Sequence, residues 1–367
     1  MAHRSQPFIL GDDLPNGRSA HLLIALTLAG WLVGCAGGLP QPSLTDPSQR
    51  FARFAGKLDR LNDVALPLLI EAADLCKTHV HDAYGFELHD KSQYKKLFNG
   101  EYLDAAIQHY GLQQGVAVRY VHPKLPAGAA GLHAQEVVIS MEGEALADKT
   151  VEDADEILRR FERRKEGPLH MVVKGPEGVQ ELDLYSVQAC NYPVVLVESG
   201  VVNAFADGTK IIVTTGMLDF CANETELALV IGHEIAHNAL GHADDVRLRR
   251  VLDALYTAQT GYRAELTATA TQLSFSRDFE TAADYVGLYI AARAGHDIRR
   301  VGAFWMRLAR QRPSINTPAF AITHPGFPDR FTSFQTTLSE IEGKQRRGDP
   351  LSPVIPLALI ERTEVHP

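Results

Sequence analysis

Two histidines and a glutamate interrupt an otherwise apolar stretch, "ALVIGHEIAHNALGHA", over residues 228–243. His233 and His237 are four residues apart, so on a helix they lie on one face, one turn apart. Ionisable groups buried in an apolar helix are costly unless a partner is present, and two imidazoles in this arrangement can share one zinc ion. Glu234 lies about 100 degrees further around the helix axis. In this H-E-x-x-H pattern we expect Glu234 to act as the general base.

A catalytic zinc ion needs a third protein ligand and an open position for water. The later stretch "FSRDFETAADYVGLYIAARAG" contains Glu280 and Asp284, again four residues apart on a helical pattern. We expect Glu280 to bind the ion and Asp284 to accept the outer N–H of a zinc-binding histidine, which fixes its tautomer. Small residues would let this helix pack closely on the first one: Ala282, Ala283 and Gly287.

Four ordered motifs extend the pattern from about residue 192 to residue 334: "NAFADGTKIIVTTGML", "HEIAHNALGH", "SRDFETAADYVGL" and "THPGFPDRF". In this order they resemble the gluzincin metallopeptidases related to the CAAX prenyl protease and the heat-shock protease HtpX. The resemblance is to lipidated periplasmic members without membrane-spanning helices. It implies hydrolysis of polypeptide substrates with one zinc ion per chain, held by the two histidines and Glu280.

The same resemblance implies roles for residues outside the two helices. His324 is the expected donor to the oxyanion, supported by Arg330 in the same loop, and in some relatives this histidine caps the zinc in a resting form. Three residues are expected on an edge strand that pairs with an extended substrate: Asn203, Ala204 and Phe205. An ordinary core strand is the alternative interpretation of these three.

A change of pattern indicates a second module over residues 113–190. "VAVRYV" alternates as a strand does, and "EVVISMEGEAL" indicates strand, turn and strand. An amphipathic helix at "VEDADEILRRFERRKEG" and a hairpin around "GPEG" follow. This order resembles a PDZ domain of the type attached to bacterial proteases, which implies a peptide or protein ligand. Gln135 and Glu136 stand where that family usually has a Gly-Asp turn, and an unrelated small α/β module is the alternative.

The predicted fold class is therefore α+β. A mainly helical zincin-type metallopeptidase domain with a small β-sheet is expected over residues 191–345, in addition to the PDZ-like α/β module. Apolar residues at helical spacing predict an N-terminal helical segment over residues 51–112, with its first helix interrupted at Pro67. Residues 346–367 are expected to form a peripheral C-terminal tail.

Turn and cap signals place the elements of the peptidase segment. Asp207-Gly208 predicts a hairpin turn between two strands. Asn223 and Glu226 form a capping-box-like pair at the start of the zinc helix, and Gly241 is its expected end. A long helical region is predicted from Asp244 to about Gly295.

The N-terminus has the layout of a secretory signal, with basic residues before the apolar run "AHLLIALTLAGWLVG". The ending "LVGC" resembles the lipobox of bacterial lipoproteins. This implies a lipoprotein signal peptide over residues 1–35, a lipid anchor on Cys35, and a flexible tether over residues 36–50. The absence of aspartate just after the cysteine favours the outer membrane, on the periplasmic side of the bacterial envelope. A signal peptide with a chance cysteine, or an uncleaved anchor, is the alternative.

Composition limits the other function classes. The formal net charge of −9 and the lack of a strongly basic stretch argue against a nucleic-acid partner. Besides Cys35 there are three cysteines, Cys76, Cys190 and Cys221, which allow at most one internal disulfide and leave the pairing open.

The leading hypothesis is a zinc endopeptidase of the bacterial envelope. A zinc-stabilised envelope chaperone or assembly factor with little proteolysis is the alternative from another class. Glu234 argues against it, because a structural zinc ion has no need of a general base. A structural lipoprotein without metal is the third interpretation.

Overall fold

The computed structural model describes residues 8–9, 46–112, 115–164, 167–242, 277–310, 324 and 328–355. Cys35, most of the predicted signal peptide and tether, residues 244–276 of the predicted long helical region, and the tail after residue 355 lie outside these ranges. None of the helices in the described ranges is long and apolar enough to cross a membrane.

The described ranges contain helices and strands in mixed order, so the chain is an α+β protein. The helices are α1 (Pro47–Glu71), α2 (Lys91–Leu97), α3 (Gly100–Tyr110), α4 (Pro126–Ala129), α5 (Val151–Arg164), α6 (Thr215–Phe220), α7 (Glu224–Ala239), α8 (Arg277–Arg293), α9 (Val301–Ala309) and α10 (Pro328–Arg347). The strands are β1 (Phe8–Ile9), β2 (Val80–Ala83), β3 (Phe86–His89), β4 (Ala117–Val121), β5 (Val137–Met141), β6 (Glu144–Ala145), β7 (Leu169–Gly175), β8 (Gly178–Leu184), β9 (Val187–Cys190), β10 (Val194–Val197), β11 (Ala204–Ala206) and β12 (Ile211–Thr214).

Helix α1 continues through Pro67, so the predicted interruption there was wrong. A proline inside a helix leaves the carbonyl four residues earlier without its usual donor. Here the buried apolar face of α1 includes Leu68 and Leu69 beyond the proline. Because packing on both sides of Pro67 stabilises the helix, it continues to Glu71.

The segment predicted to be helical over residues 51–112 also contains strands β2 and β3, which the helical spacing did not indicate. β3 is an edge strand of the six-stranded sheet with the order β3-β4-β5-β7-β8, in which β6 pairs with β5. β2 pairs with β9 in a separate antiparallel ribbon. The sheet of the predicted PDZ-like module therefore begins before residue 113.

The remaining elements of that module lie where the sequence predicts them. β4, the pair β5 and β6, helix α5 and the hairpin β7–β8 follow in the expected order. Their apolar side chains form a core of their own, which includes Val118, Met141, Ile157 and Leu169. The period-2 pattern of β7 and the period-3.6 pattern of α5 are clear because each of these two elements buries one face.

Gln135 and Glu136 form a turn before β5. Gln135 has a φ of 70°, a left-handed conformation that glycine adopts at little cost. Glu136 is buried, and its carboxylate accepts a hydrogen bond from the amide of His133 at 3.0 Å and another from Gln180 at 3.1 Å. The buried Glu136 carboxylate thus connects this turn to β8 through Gln180.

The peptidase segment contains a second sheet with the order β1-β10-β12-β11. β10 and β12 are parallel, and β11 and β12 form the antiparallel hairpin predicted around Asp207-Gly208. β1 pairs in parallel with β10, so Phe8–Ile9 of the predicted signal peptide lies at this sheet. The sheet, α1 and the later helices share one large hydrophobic core.

Helices α7 and α8 cross at two glycines. A Cβ atom added to Gly232 would lie 2.9 Å from the carbonyl oxygen of Gly287, and one added to Gly287 would lie 2.8 Å from the backbone nitrogen of His233. The predicted close packing of small residues on α8 is therefore confirmed. This contact sets the distance between the two helices that carry the candidate zinc ligands.

Candidate metal centre

The zinc helix α7 is capped at its start and fixed to the neighbouring hairpin. The Asn223 side chain accepts a hydrogen bond from the amide of Glu226 at 3.0 Å, and the Glu226 carboxylate accepts one from the amide of Ala222 at 2.7 Å. Near the end of the helix, Asn238 accepts a hydrogen bond from the amide of Gly208 at 2.8 Å. The predicted cap is confirmed, and the helix is held at both ends.

His233 and His237 project from one face of α7, as their spacing predicts. Their Nε2 atoms lie 3.0 Å apart. Glu280 reaches them from α8, with carboxylate oxygens 3.7 Å from His233 Nε2 and 3.5 Å from His237 Nε2. Since all three side chains are buried, two packed helices bring two imidazoles and a carboxylate together inside the core.

His324 completes the group. Its Nδ1 atom lies 3.2 Å from His233 Nε2 and 3.0 Å from Glu280 Oε1. One donor atom from each of four residues, His233, His237, Glu280 and His324, lies within 4.8 Å of the other three. Three imidazole nitrogens and one carboxylate oxygen at this spacing fit a single tetrahedral zinc ion. The structure therefore brings together the three predicted ligands and the loop histidine.

Glu234 faces the same cluster from the neighbouring position on α7. Its Oε1 atom lies 3.4 Å from Nε2 of His324, and its side chain has no exposed area. Burial raises the pKa of the Glu234 carboxyl above its usual value, although the nearby His324 and His233 and the backbone amide of Ala206 oppose the shift. A carboxyl group with a raised pKa next to a metal site is suited to take up and return a proton.

Glu280 and His324 stabilise each other's charged forms. Burial opposes ionisation of Glu280, but the charge of His324 and the hydrogen bonds from His237 and His324 hold the pKa of this carboxyl well below its usual value. Burial also opposes protonation of His324, but the charges of Glu280 and Glu234 raise its pKa above the usual value. Burial, by contrast, lowers the pKa of His237 well below its usual value, so this imidazole is neutral and can bind a metal.

Asp284 and Arg330 lie behind the ligands, as predicted. Asp284 Oδ1 is 3.1 Å from His233 Nδ1, the ring nitrogen opposite the metal side. Arg330 donates two hydrogen bonds to Asp284, at 2.7 and 2.6 Å, and its Nη1 atom lies 3.3 Å from Glu280. This bidentate pair fixes the carboxylate that orients His233.

Two residues of the site were missed by the sequence-based prediction. Trp305 on α9 packs on His233, and the centroids of the two rings lie 5.3 Å apart. The guanidinium of Arg330 lies over the Trp305 ring, 4.9 Å from its centroid. His242 follows α7, and its Nδ1 atom lies 2.9 Å from Nδ1 of His237. The spacing of His242 from His237 was a visible signal, but a partner five residues away is brought near only by the turn that ends the helix.

The predicted substrate strand lies at an edge of its sheet. Ala204 and Phe205 belong to β11, and within the described ranges β11 pairs with β12 alone. Asn203 precedes the strand, and its amide donates a hydrogen bond to Thr214 Oγ1 at 3.2 Å. All three residues are buried, so the outer edge of the strand is covered in this structure.

Comparison with known proteins agrees with this site. Residues 165–338 match Peptidase family M48, a range that includes every residue of the cluster and starts before the predicted boundary at residue 191. The chain is 32% identical over 174 residues to the "Mitochondrial metalloendopeptidase OMA1" of Schizosaccharomyces pombe, which covers 45% of this chain and 51% of that protein. It is 30% identical over 151 residues to the "Beta-barrel assembly-enhancing protease" of Escherichia coli, which covers 35% of this chain and 31% of that protein.

The chain thus spans about half the length of the first of these relatives and a third of the second. Among solved structures, the HtrA3 PDZ domain bound to a phage-derived ligand covers 30% of this chain with a TM-score of 0.21 and 14% identity. A likeness of that size does not bear on the fold. The match to the peptidase family and the named metalloendopeptidases agree with the buried cluster of zinc-type donors. Residues 165–338 are thus similar to peptidase family M48, and this similarity, together with the named relatives, supports metalloendopeptidase chemistry at the cluster.

Proposed function

We propose that this chain is a zinc-dependent endopeptidase of the gluzincin type, resembling the CAAX prenyl protease and HtpX group, and that it hydrolyses misfolded or misassembled bacterial envelope proteins. One observation carries the catalytic part of this proposal. Two helices and a loop bring His233, His237, Glu280 and His324 within 4.8 Å of one another, with Glu234 beside them. This combines a zinc-type donor set with a general base in one buried space.

Two histidines and Glu280 would hold the ion, which when bound makes water a stronger nucleophile and polarises the substrate carbonyl. Glu234 removes the proton from the attacking water and passes it to the nitrogen of the leaving amine. The raised pKa of Glu234 suits this exchange, because the carboxyl can hold the proton between the two steps. Asp284 and Arg330 keep His233 in the tautomer that leaves Nε2 free to bind the metal.

His324 has two roles in the proposal. In the structure its Nδ1 atom lies among the ligand atoms, which corresponds to a resting form in which this histidine caps the metal site. If His324 moves away from the ligand atoms, the same imidazole would donate to the developing oxyanion of the substrate. Arg330 fixes the position of α10 behind the site by binding Asp284.

The substrate is proposed to bind as an added strand along β11. Ala206, at the end of β11, lies near Glu234, and its backbone amide acts to lower the pKa of that carboxyl. Main-chain hydrogen bonds to a sheet edge would bind an extended polypeptide without strong dependence on its sequence. Because β11 is buried in the resting form, the opening that frees His324 must also expose this edge.

An envelope location is supported by the disulfide between Cys76 and Cys190, since such bonds persist in oxidising compartments such as the bacterial periplasm. The Escherichia coli relative is named for enhancing β-barrel assembly, which is consistent with the same compartment. We further propose lipid anchoring to the outer membrane through Cys35 and a peptide or protein ligand for the PDZ-like module. Mass analysis of the protein recovered from a bacterial envelope would identify the lipid on Cys35.

The catalytic proposal is tested by Glu234→Gln with fluorescent β-casein as the unfolded probe. We expect hydrolysis to fall by about a factor of 10² to 10⁴, because the general base is lost. Zinc content, measured by mass spectrometry of the metal, should remain one ion per chain. Glu224→Gln is the matched control, since it makes the same change on the same helix at a side chain that is 62% exposed, and it should leave hydrolysis unchanged. Equal hydrolysis in the wild type and Glu234→Gln would refute the role of the base.

One observation favours a second candidate, a zinc-stabilised envelope chaperone. Four donors already surround the site, and structural zinc sites are closed in this way. Casein hydrolysis by the zinc-loaded wild type distinguishes the candidates, because an endopeptidase should hydrolyse casein and lose this activity in Glu234→Gln. In a chaperone the wild type should bind zinc without hydrolysing casein, and His324→Ala should only weaken zinc binding.

A further inference from the structure

We infer that His242 is a positioning residue that holds the zinc-binding histidine His237 through a direct imidazole–imidazole hydrogen bond. The inference rests on the proposed zinc site and adds a residue to it. His242 lies outside the H-E-x-x-H pattern, and its side chain is 2% exposed. The Nδ1 atoms of the two rings lie 2.9 Å apart, which is a hydrogen-bond distance for two ring nitrogens.

The turn that ends α7 places His242 in this position. Gly241 adopts a φ of 71°, and its amide donates to the carbonyl of Asn238 at 3.1 Å. The amide of His242 donates to the carbonyl of His237 at 3.0 Å. These two bonds form a Schellman motif, in which the residue after the glycine folds back on the last turn of the helix. His242 therefore makes two hydrogen bonds with His237, one through its backbone amide and one through its ring.

The chemistry of the pair fixes both tautomers. Nε2 of His237 points toward the ligand cluster, so metal binding leaves the proton of this ring on Nδ1. That N–H can donate only if Nδ1 of His242 carries no proton, which places the His242 proton on Nε2. Phe279 on α8 stacks on the ring of His242 and holds its orientation, with ring centroids 4.2 Å apart and an interplanar angle of 8°.

The two zinc-binding histidines are thus held by partners of different charge. His233 has the carboxylate of Asp284, which Arg330 binds in turn, whereas His237 has a neutral imidazole. A neutral acceptor orients the ring without adding negative charge to a cluster that already contains Glu234 and Glu280. The geometry points to orientation of His237, and not to charge, as the contribution of His242.

The test is the zinc dissociation constant of the full chain, measured by competition with a fluorescent chelator. His242→Asn keeps a hydrogen-bond acceptor at the position of Nδ1, so its zinc affinity should stay within about three-fold of the wild type. His242→Leu removes the acceptor, and His242→Gln moves it to the position of Nε2. Both should weaken zinc binding by about ten- to one hundred-fold.

His89→Leu is the matched control. His89 is also fully buried and bonded to one neighbour, Tyr94 Oη at 3.0 Å, but it lies outside the described metal cluster. It should lower stability toward urea without changing zinc affinity, which separates general destabilisation from the effect on the metal. Equal affinity of His242→Leu and wild type, or equal loss in His242→Asn and His242→Gln, would overturn the inference while leaving the proposed function intact. A wild-type chain that binds no zinc would overturn both.

Discussion

At the scale of single residues, Gln135 has a backbone conformation that its side chain disfavours. A left-handed conformation costs a residue with a Cβ atom roughly 1–2 kcal/mol, and glycine avoids this cost. We therefore expect Gln135→Gly to raise the free energy of unfolding by about 0.5 kcal/mol, after allowing for the greater freedom of glycine in the unfolded chain. Urea unfolding of the two proteins measures the difference.

The side chain of Gln135 is exposed, so the substitution removes little packing. Ala134→Gly is a suitable control, because Ala134 is also exposed but does not have a positive φ. Substitution by glycine there should lower the free energy of unfolding. A clear loss of stability in Gln135→Gly would contradict the explanation of this turn by backbone strain.

The residues of the candidate metal centre could be predicted from sequence because their spacing is local. His233, Glu234 and His237 lie within one helical turn, and Glu280 and Asp284 repeat the same spacing on α8. His242 and Trp305 could not be predicted in the same way. The first depends on the geometry of the turn at Gly241, and the second on how α9 packs against α7.

At the scale of elements, the crossing of α7 and α8 determines whether the ligands meet. Gly287→Ala would place a Cβ atom 2.8 Å from the backbone nitrogen of His233, so the helices must move apart. We expect a loss of about 1–3 kcal/mol in the free energy of unfolding, as for other overpacked cores. Zinc affinity should fall by at least about ten-fold, because Glu280 moves with its helix. Urea unfolding and chelator competition measure the two effects.

Gly56→Ala is the matched control for this prediction. Gly56 lies inside α1, is exposed, and has no atom within 4 Å of an added Cβ. The same substitution there should stabilise the chain by about 1 kcal/mol, the helix propensity difference, and leave zinc affinity unchanged. If Gly287→Ala behaved like this control, the close crossing could not be what positions Glu280.

Sequence patterns predicted most helices and strands, but they failed where tertiary contacts determine the secondary structure. Helix α1 passes Pro67 because its apolar face stays packed in the core beyond the proline. Strands β2 and β3 lie between helices in a stretch that shows helical spacing, and they form because β9 and β4 pair with them. Neither partner is visible from the local pattern.

At the scale of the whole molecule, the Cys76–Cys190 disulfide joins the end of the N-terminal helix to the strand that follows the PDZ-like sheet. Its cysteines are 114 residues apart in sequence. Replacing both with serine should cost about 2–5 kcal/mol of unfolding free energy, since a long loop is no longer closed in the unfolded chain. Dithiothreitol should shift the urea midpoint of the wild type to that of the double variant.

Cys221→Ala is the control, because Cys221 is the buried free cysteine of the described ranges. That variant should remain sensitive to dithiothreitol. If reductant left the wild type unchanged, the disulfide would not stabilise the fold, and the argument from it for an oxidising compartment would be lost. The pairing itself could not be predicted, because it depends on the pairing of β2 with β9.

Ion pairs of one buried arginine join the module predicted over residues 113–190 to helix α1. Arg119 on β4 has a side chain 1% exposed and binds Asp59 of α1 at 2.7 Å and Glu87 of β3 at 2.6 Å. Helix α1 packs in the same core as α7, so this network connects the module to the zinc helix. Such a junction was not predictable, because Arg119 belongs to a different predicted segment from Asp59 and Glu87.

The central claim is that two helices share one zinc ion through two imidazoles and one carboxylate. Diffraction from crystals of the zinc-loaded protein, measured at the zinc absorption edge, tests it most directly. We predict one anomalous peak per chain, about 2.0–2.2 Å from Nε2 of His233, Nε2 of His237 and a carboxylate oxygen of Glu280. A peak bound elsewhere, or one that contacts the histidines while Glu280 stays out of reach, would contradict the claim.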